Sequence, residues 1–146
     1  MTIYNKQNSA APFSGDDGNR VVFTDKATVP IALVATDKVR PVLIPAGTKV
    51  DRVVIKNGDM ETGTPALTAT IGFEHADGSS GASATAIAAD GANALQGVAT
   101  TTYELFPPVT VEKDSYVVIT CTIGAAAQAA SVDVHCKVEG ENLGAK

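Results

Sequence analysis

The chain has 146 residues and a formal net charge of −5, and it is 45% hydrophobic but only 5% aromatic, with no Trp. Its 11 Lys and Arg are scattered singly, so no basic run offers a footprint for nucleic acid. The scarcity of aromatics argues against stacking platforms for sugars or single strands. No segment approaches the roughly 18 apolar residues that span a bilayer, and the first eight residues lack the basic start and apolar core of a secretion signal. A soluble protein with no membrane partner is expected.

This length suits one domain with one core. Residues 1–19 combine Ile3, Tyr4 and Phe13 with polar residues and the turn cluster Ser14–Asn19, without a period of 2 or 3.6. That reads as an extended arm. A free arm would be polar, so these three apolar side chains pack against something, either their own domain or a neighbouring subunit.

From Arg20 the pattern becomes β-like, with runs over 20–24 and 28–34 separated by a break at Thr24–Ala27. Pro30 cannot donate to a ladder and marks a strand start or an edge. After Asp37-Lys38 a strand covers 39–44. Pro45-Ala46-Gly47-Thr48 then has the residues of a type II turn, which leads into a strand over 49–56. Leu67, Ala69, Ile71 and Phe73 alternate with Thr68 and Thr70, a strand with one buried face. The stretch 77–97 has too few large apolar residues to anchor an amphipathic helix and reads as a long Ala/Gly loop, with at most a short helical turn near 84–89.

Thr100–Phe106 resumes extended character, Pro107-Pro108 stops it, and Val109–Val111 is a short edge piece. Ser115–Val138 then reads as two alternating runs around a small-residue turn, a β-hairpin that places Cys121 and Cys136 on its inward face. They are read as buried thiols, with a cross-strand disulfide as the alternative. A polar tail covers 140–146. About eight short strands and no helix predict an all-β domain over 20–139, a two-sheet antiparallel sandwich of jelly-roll type rather than immunoglobulin type.

The search for chemistry finds no Gly-x-Ser-x-Gly elbow and no phosphate loop. Glu74, His75 and Asp77 cluster at a strand end, but adjacent strand residues point to opposite faces and do not converge on a metal. Asp16-Asp17 lacks the spacing of a calcium loop, and His135 lies on an outer strand face. No catalytic residue, cofactor or metal is expected.

Leu43-Ile44-Pro45-Ala46-Gly47-Thr48-Lys49-Val50, the strand 51–56, Leu67-Thr68-Ala69-Thr70-Ile71-Gly72 and Asp114-Ser115-Tyr116-Val117-Val118-Ile119-Thr120 occur in that order. The series resembles small jelly-roll structural proteins of tailed bacteriophages. The resemblance implies a capsid decoration (cement) protein on the virion surface or a related head protein, a homotrimer whose partner is the major capsid protein, with no catalytic residues. Ile3, Tyr4 and Phe13 would then be the contacts to neighbouring subunits. Two other readings stay open: a carbohydrate- or ligand-binding module of a fibre or adhesin, and a tail or baseplate subunit.

Overall fold

The computed structural model describes residues 1–7, 19–62, 64, 66–92, 95–125, 127–128 and 130–144, with backbone alone at 90–92. The strands are β1 (Ile3–Asn5), β2 (Arg20–Val29), β3 (Lys38–Ile44), β4 (Thr48–Asn57), β5 (Thr68–His75), β6 (Ala88–Ala92), β7 (Ala99–Val111), β8 (Ser115–Ile123) and β9 (Val132–Asn142). Among the described residues there is no helix.

After β1 the chain is a folded ribbon: β2 pairs antiparallel with β9, β3 with β8, β4 with β7 and β5 with β6. Rolling that ribbon brings β4 against β9 and β5 against β8. The result is two sheets, β2-β9-β4-β7 and β3-β8-β5-β6, with β1 added parallel to β3 at the edge of the second. This is a jelly roll. Alternation explains it locally: in β9, Val132, Val134, Cys136 and Val138 are buried while Asp133, His135 and Lys137 face out. Ile55, Ile71, Ile119 and Val53 meet them between the sheets, each fully buried. Burial of each such side chain contributes about 1.5–3 kcal/mol relative to exposure.

Several expectations are corrected. The stretch from Ser115 to Val138 is not a hairpin, because β8 and β9 belong to opposite sheets and connection 124–131 crosses between them. Alternation marks which face is dry; it does not name the partner strand. There is no break at 24–27, since pairing of Asp25 with Cys136 and Lys26 with His135 carries β2 through it. Pro30 follows the last residue of β2, so 30–34 is connection rather than strand.

Pro107 and Pro108 do not end β7. Between the pairs Val50–Val109 and Arg52–Glu104, residues 105–108 bulge opposite Asp51 alone. This is an edge strand, where a missing N–H costs no inner ladder bond. In place of a helical turn near 84–89, the chain enters β6, which pairs with β5. That connection runs close over Gly72, where a Cβ would lie 2.3 Å from the Ser83 carbonyl oxygen. Finally, β9 extends to Asn142, beyond the expected start of the tail.

The described residues of connections 30–37, 58–67, 93–98 and 124–131 gather at one end of the sandwich, called here the loop end. Those at 45–47, 76–87 and 112–114 lie at the other.

Candidate interaction surface

Of the three predicted contact residues, Ile3 and Tyr4 lie in β1, opposite Lys38 and Val39 of β3. Both are half-buried, and Tyr4 packs against the core. Burial pushes the Tyr4 phenol upward, and the nearby Asp37 carboxylate adds to the shift. Beyond β1, Lys6 bridges to Ala27 and Gln7 N–H donates to the Lys26 carbonyl at 2.9 Å. The first seven residues therefore seam the β3-side edge of one sheet to β2 of the other. Phe13 lies outside the described residues, as do Asp16 and Asp17.

The candidate groups for chemistry are engaged in structure. Ser115 is buried and its hydroxyl donates to the Lys113 carbonyl at 2.8 Å. Its remaining bond, 3.0 Å to His75 Nδ1, therefore has the imidazole N–H as donor. A base oriented for proton abstraction from that hydroxyl would have to accept there instead. A cleft of about 430 Å³ beside His75 is lined also by Gly81, Glu112 and Lys113. Glu74 points to the outer face, where Lys38 and Arg40 bond it at 2.9 and 3.1 Å. Burial raises its carboxyl, but those two cations outweigh it and hold the pKa below the usual value.

Among the described residues no three His, Cys, Asp or Glu side chains could hold a metal. Cys121 and Cys136 are free thiols, buried on facing sheets. Burial, then Asp37 and Glu61, push Cys121 up to about 11, and burial raises Cys136 as well. Neither is a thiolate at neutral pH, so neither is a nucleophile.

The loop end has a different character. Two buried carboxylates clamp it from inside. Asp37 accepts from Val34 N–H at 3.0 Å and Thr2 N–H at 2.6 Å. Burial raises its carboxyl, yet these backbone donors prevail and hold the pKa below the usual range. Glu61 accepts from the N–H groups of Ala66 and Leu67, both at 2.7 Å.

The connections are also bonded to one another. Ala125 N–H donates to the Leu33 carbonyl at 2.9 Å, and Thr62 N–H to the Ala127 carbonyl at 2.9 Å. Gln96 Nε2 donates to the Leu67 carbonyl, and Asn57 Nδ2 to Gly97, each at 2.8 Å. Thr36 is held at φ 78°, a conformation a β-branched residue adopts only when its surroundings impose it.

On this tied framework Met1, Ile31, Val34, Val98 and Ile123 are exposed, Val98 at 79% and Ile31 at 63%. None of the connections contains Lys or Arg. Asp37 and Glu61 being buried, Asp59 is the one exposed charge among their described residues. Sequence reading placed Ile31 and Val34 on a strand and so missed this surface, although the cation-free composition of the connections was visible.

The outer face of the four-stranded sheet is the reverse. Arg20 pairs with Asp51 and, at 3.5 Å, with Glu139; Arg52 reaches Glu104 at 3.0 Å and Glu139 at 3.7 Å; Lys137 reaches Glu139 at 2.5 Å. The Lys137 bond first, then the arginine charges, hold Glu139 below the usual carboxylate range despite partial desolvation.

The fold places this chain among jelly-roll proteins, and known structures narrow the company it keeps. A chain in the capsid asymmetric unit of cyanophage Pam1 superimposes with a TM-score of 0.69 at 24% identity, covering 92% of each chain. A chain from the capsid of Ralstonia phage GP4 gives 0.65 at 14% identity, over 92% of this chain and 91% of that one. A chain from the acidic stable capsid structure of Helicobacter pylori bacteriophage KHP30 gives 0.54 at 16% identity, over 84% and 91%. The jelly roll seen here is thus a fold found in phage capsids. No family model and no curated protein sequence matches the chain.

Proposed function

We propose that the protein is a non-enzymatic structural protein of a phage virion and, within that class, a capsid decoration (cement) protein. Its partner is the major capsid protein, its working form a homotrimer, and its place the outer surface of the head. The observation that carries this reading is the likeness to the Pam1 capsid chain over 92% of both chains, which leaves little of either molecule outside the shared fold. The engaged state of His75, Ser115 and both thiols fits a protein that works by burying surface rather than by polarising bonds.

In this reading Ile3 and Tyr4 root the arm while keeping part of their surface for a neighbouring subunit, and Phe13 is the contact further along. The fibre or adhesin alternative calls for exposed aromatic rings on a concave face. Tyr4, Tyr103 and Tyr116 are each half-buried and Arg40 covers the Tyr116 ring at 5.3 Å, which leaves Phe106, 98% exposed in β7, as the one fully exposed ring among the described residues.

The test is to mix purified protein with empty shells built from the major capsid protein alone. Co-sedimentation at a fixed ratio, with shells that survive higher temperature, supports decoration. Failure to bind, or binding to tails instead, overturns it.

A further inference from the structure

We propose that the loop end is the surface through which copies of this chain associate with one another. The inference deepens the oligomer of the reading above and does not depend on the shell. Exposed apolar side chains scattered singly need no explanation, but a group of them on a charge-depleted surface has the composition of an interface centre. Here Met1, Ile31, Val34, Val98 and Ile123 share one end of the molecule with Asp59 as the single exposed charge among the described residues of its connections.

The bonds already given tie together the segments that carry them, Ile31 being on the same connection as Val34. Asp37 joins Thr2, next to Met1, to Val34. The Leu33–Ala125 bond sets Val34 beside Ile123, and a Cβ on Gly124 would lie 3.0 Å from the Val34 Cα. Through Ala127, Thr62, Leu67 and Gln96 the same network reaches the connection that ends in Val98.

Charge selects the occupant. Each copy carries a net charge of −5, so a contact that sets a face of the molecule against its own counterpart opposes like charges least where that face carries fewest. At the opposite end Asp77, Glu112 and Asp114 are exposed around Lys113. The outer face of the four-stranded sheet is occupied by ion pairs, whose desolvation opposes burial. Of these three surfaces the loop end meets a copy of itself with the most apolar area, Asp59 and the Met1 amino group being the exposed charges among its described residues. The described residues of its connections are held by Asp37, Glu61 and the bonds between connections, so they add little ordering cost on association. A closed ring with the loop ends toward the symmetry axis satisfies this contact for every subunit.

Sedimentation velocity of the full chain at micromolar concentration tests the proposal, using Ile31→Asp/Val98→Asp and, as control, Val22→Asp on the outer face of the four-stranded sheet. The wild type and the control are expected to sediment as the same closed oligomer. The double variant is expected as a monomer with an unchanged circular-dichroism spectrum. A double variant that remains oligomeric overturns the proposal, as does a control that dissociates. A monomeric wild type also overturns it, and loss of shell binding by the double variant would then assign the surface to the shell. Should the double variant fail to fold, Val98→Ser is expected to weaken association at least tenfold, and an unchanged dissociation constant sinks the idea. An intact oligomer that binds no shell counts against the virion reading alone.

Discussion

The loop end and the outer face of the four-stranded sheet are built on the same strands, yet one hides its carboxylates and the other displays them. At the loop end Asp37 and Glu61 are turned inward onto backbone N–H groups, and apolar side chains face water. On the sheet face Asp51, Glu104 and Glu139 stay at the surface, matched to Arg20, Arg52 and Lys137. The difference separates two uses of acidic residues. A buried carboxylate that satisfies backbone donors fixes a shape, because removing it leaves those donors dry. A surface carboxylate in an ion pair adds little stability but keeps the face wetted and resistant to self-association.

The comparison can be broken most forcefully at Glu61. Glu61→Ala takes the acceptor from both Ala66 and Leu67, and a urea titration is expected to show a loss of about 3 kcal/mol. A loss no larger than that of a surface variant would erase the distinction.

Asp37 sharpens it through pH. Its pKa is lowered in the folded protein, so near the ordinary Asp value of about 3.9 the unfolded chain binds more protons than the folded one. The contribution is therefore present above that value and is lost as pH falls through the lowered folded pKa. Asp37→Asn is expected to be less stable than the wild type at neutral pH by about 1–2 kcal/mol. That gap should close in acid. Parallel stability curves from pH 7 down to strong acid would show that the charge on Asp37 does not hold Val34 and Thr2.

The smallest effect belongs to the sheet face. Arg20→Ala is expected to cost less than about 1 kcal/mol, and less still at high salt. A salt-insensitive cost as large as that of Glu61→Ala would mean that the ion pairs, too, fix the shape.

Much of the fold was legible because burial imposes period 2: Leu67 to Phe73 and Val132 to Val138 announce their dry faces. What alternation does not encode is which strand lies alongside, so β8 and β9 looked like a hairpin although the rolled ribbon sends them to different sheets. Local turn signals at Asp25-Lys26 and Pro107-Pro108 were overridden, the first by pairing to β9, the second by lying in a bulge on an edge. β6 was hidden because Ala and Gly carry little strand signal and the strand exists by pairing with β5. Ile3 and Tyr4 were recognisable as residues that must pack. The seam they begin, from β3 to β2, depended on tertiary pairing. The loop end escaped notice because its apolar residues come from separate connections, and clustering across the sequence has no periodic signature.

The pairing of Arg20 with Glu141 has a consequence for how each copy is made. β9 lies between β2 and β4, so on the ribosome the first strand of that sheet must wait for its ladder partner until β9 has emerged. Closure of so distant a pair is slow, and exposed strand edges invite mispairing meanwhile.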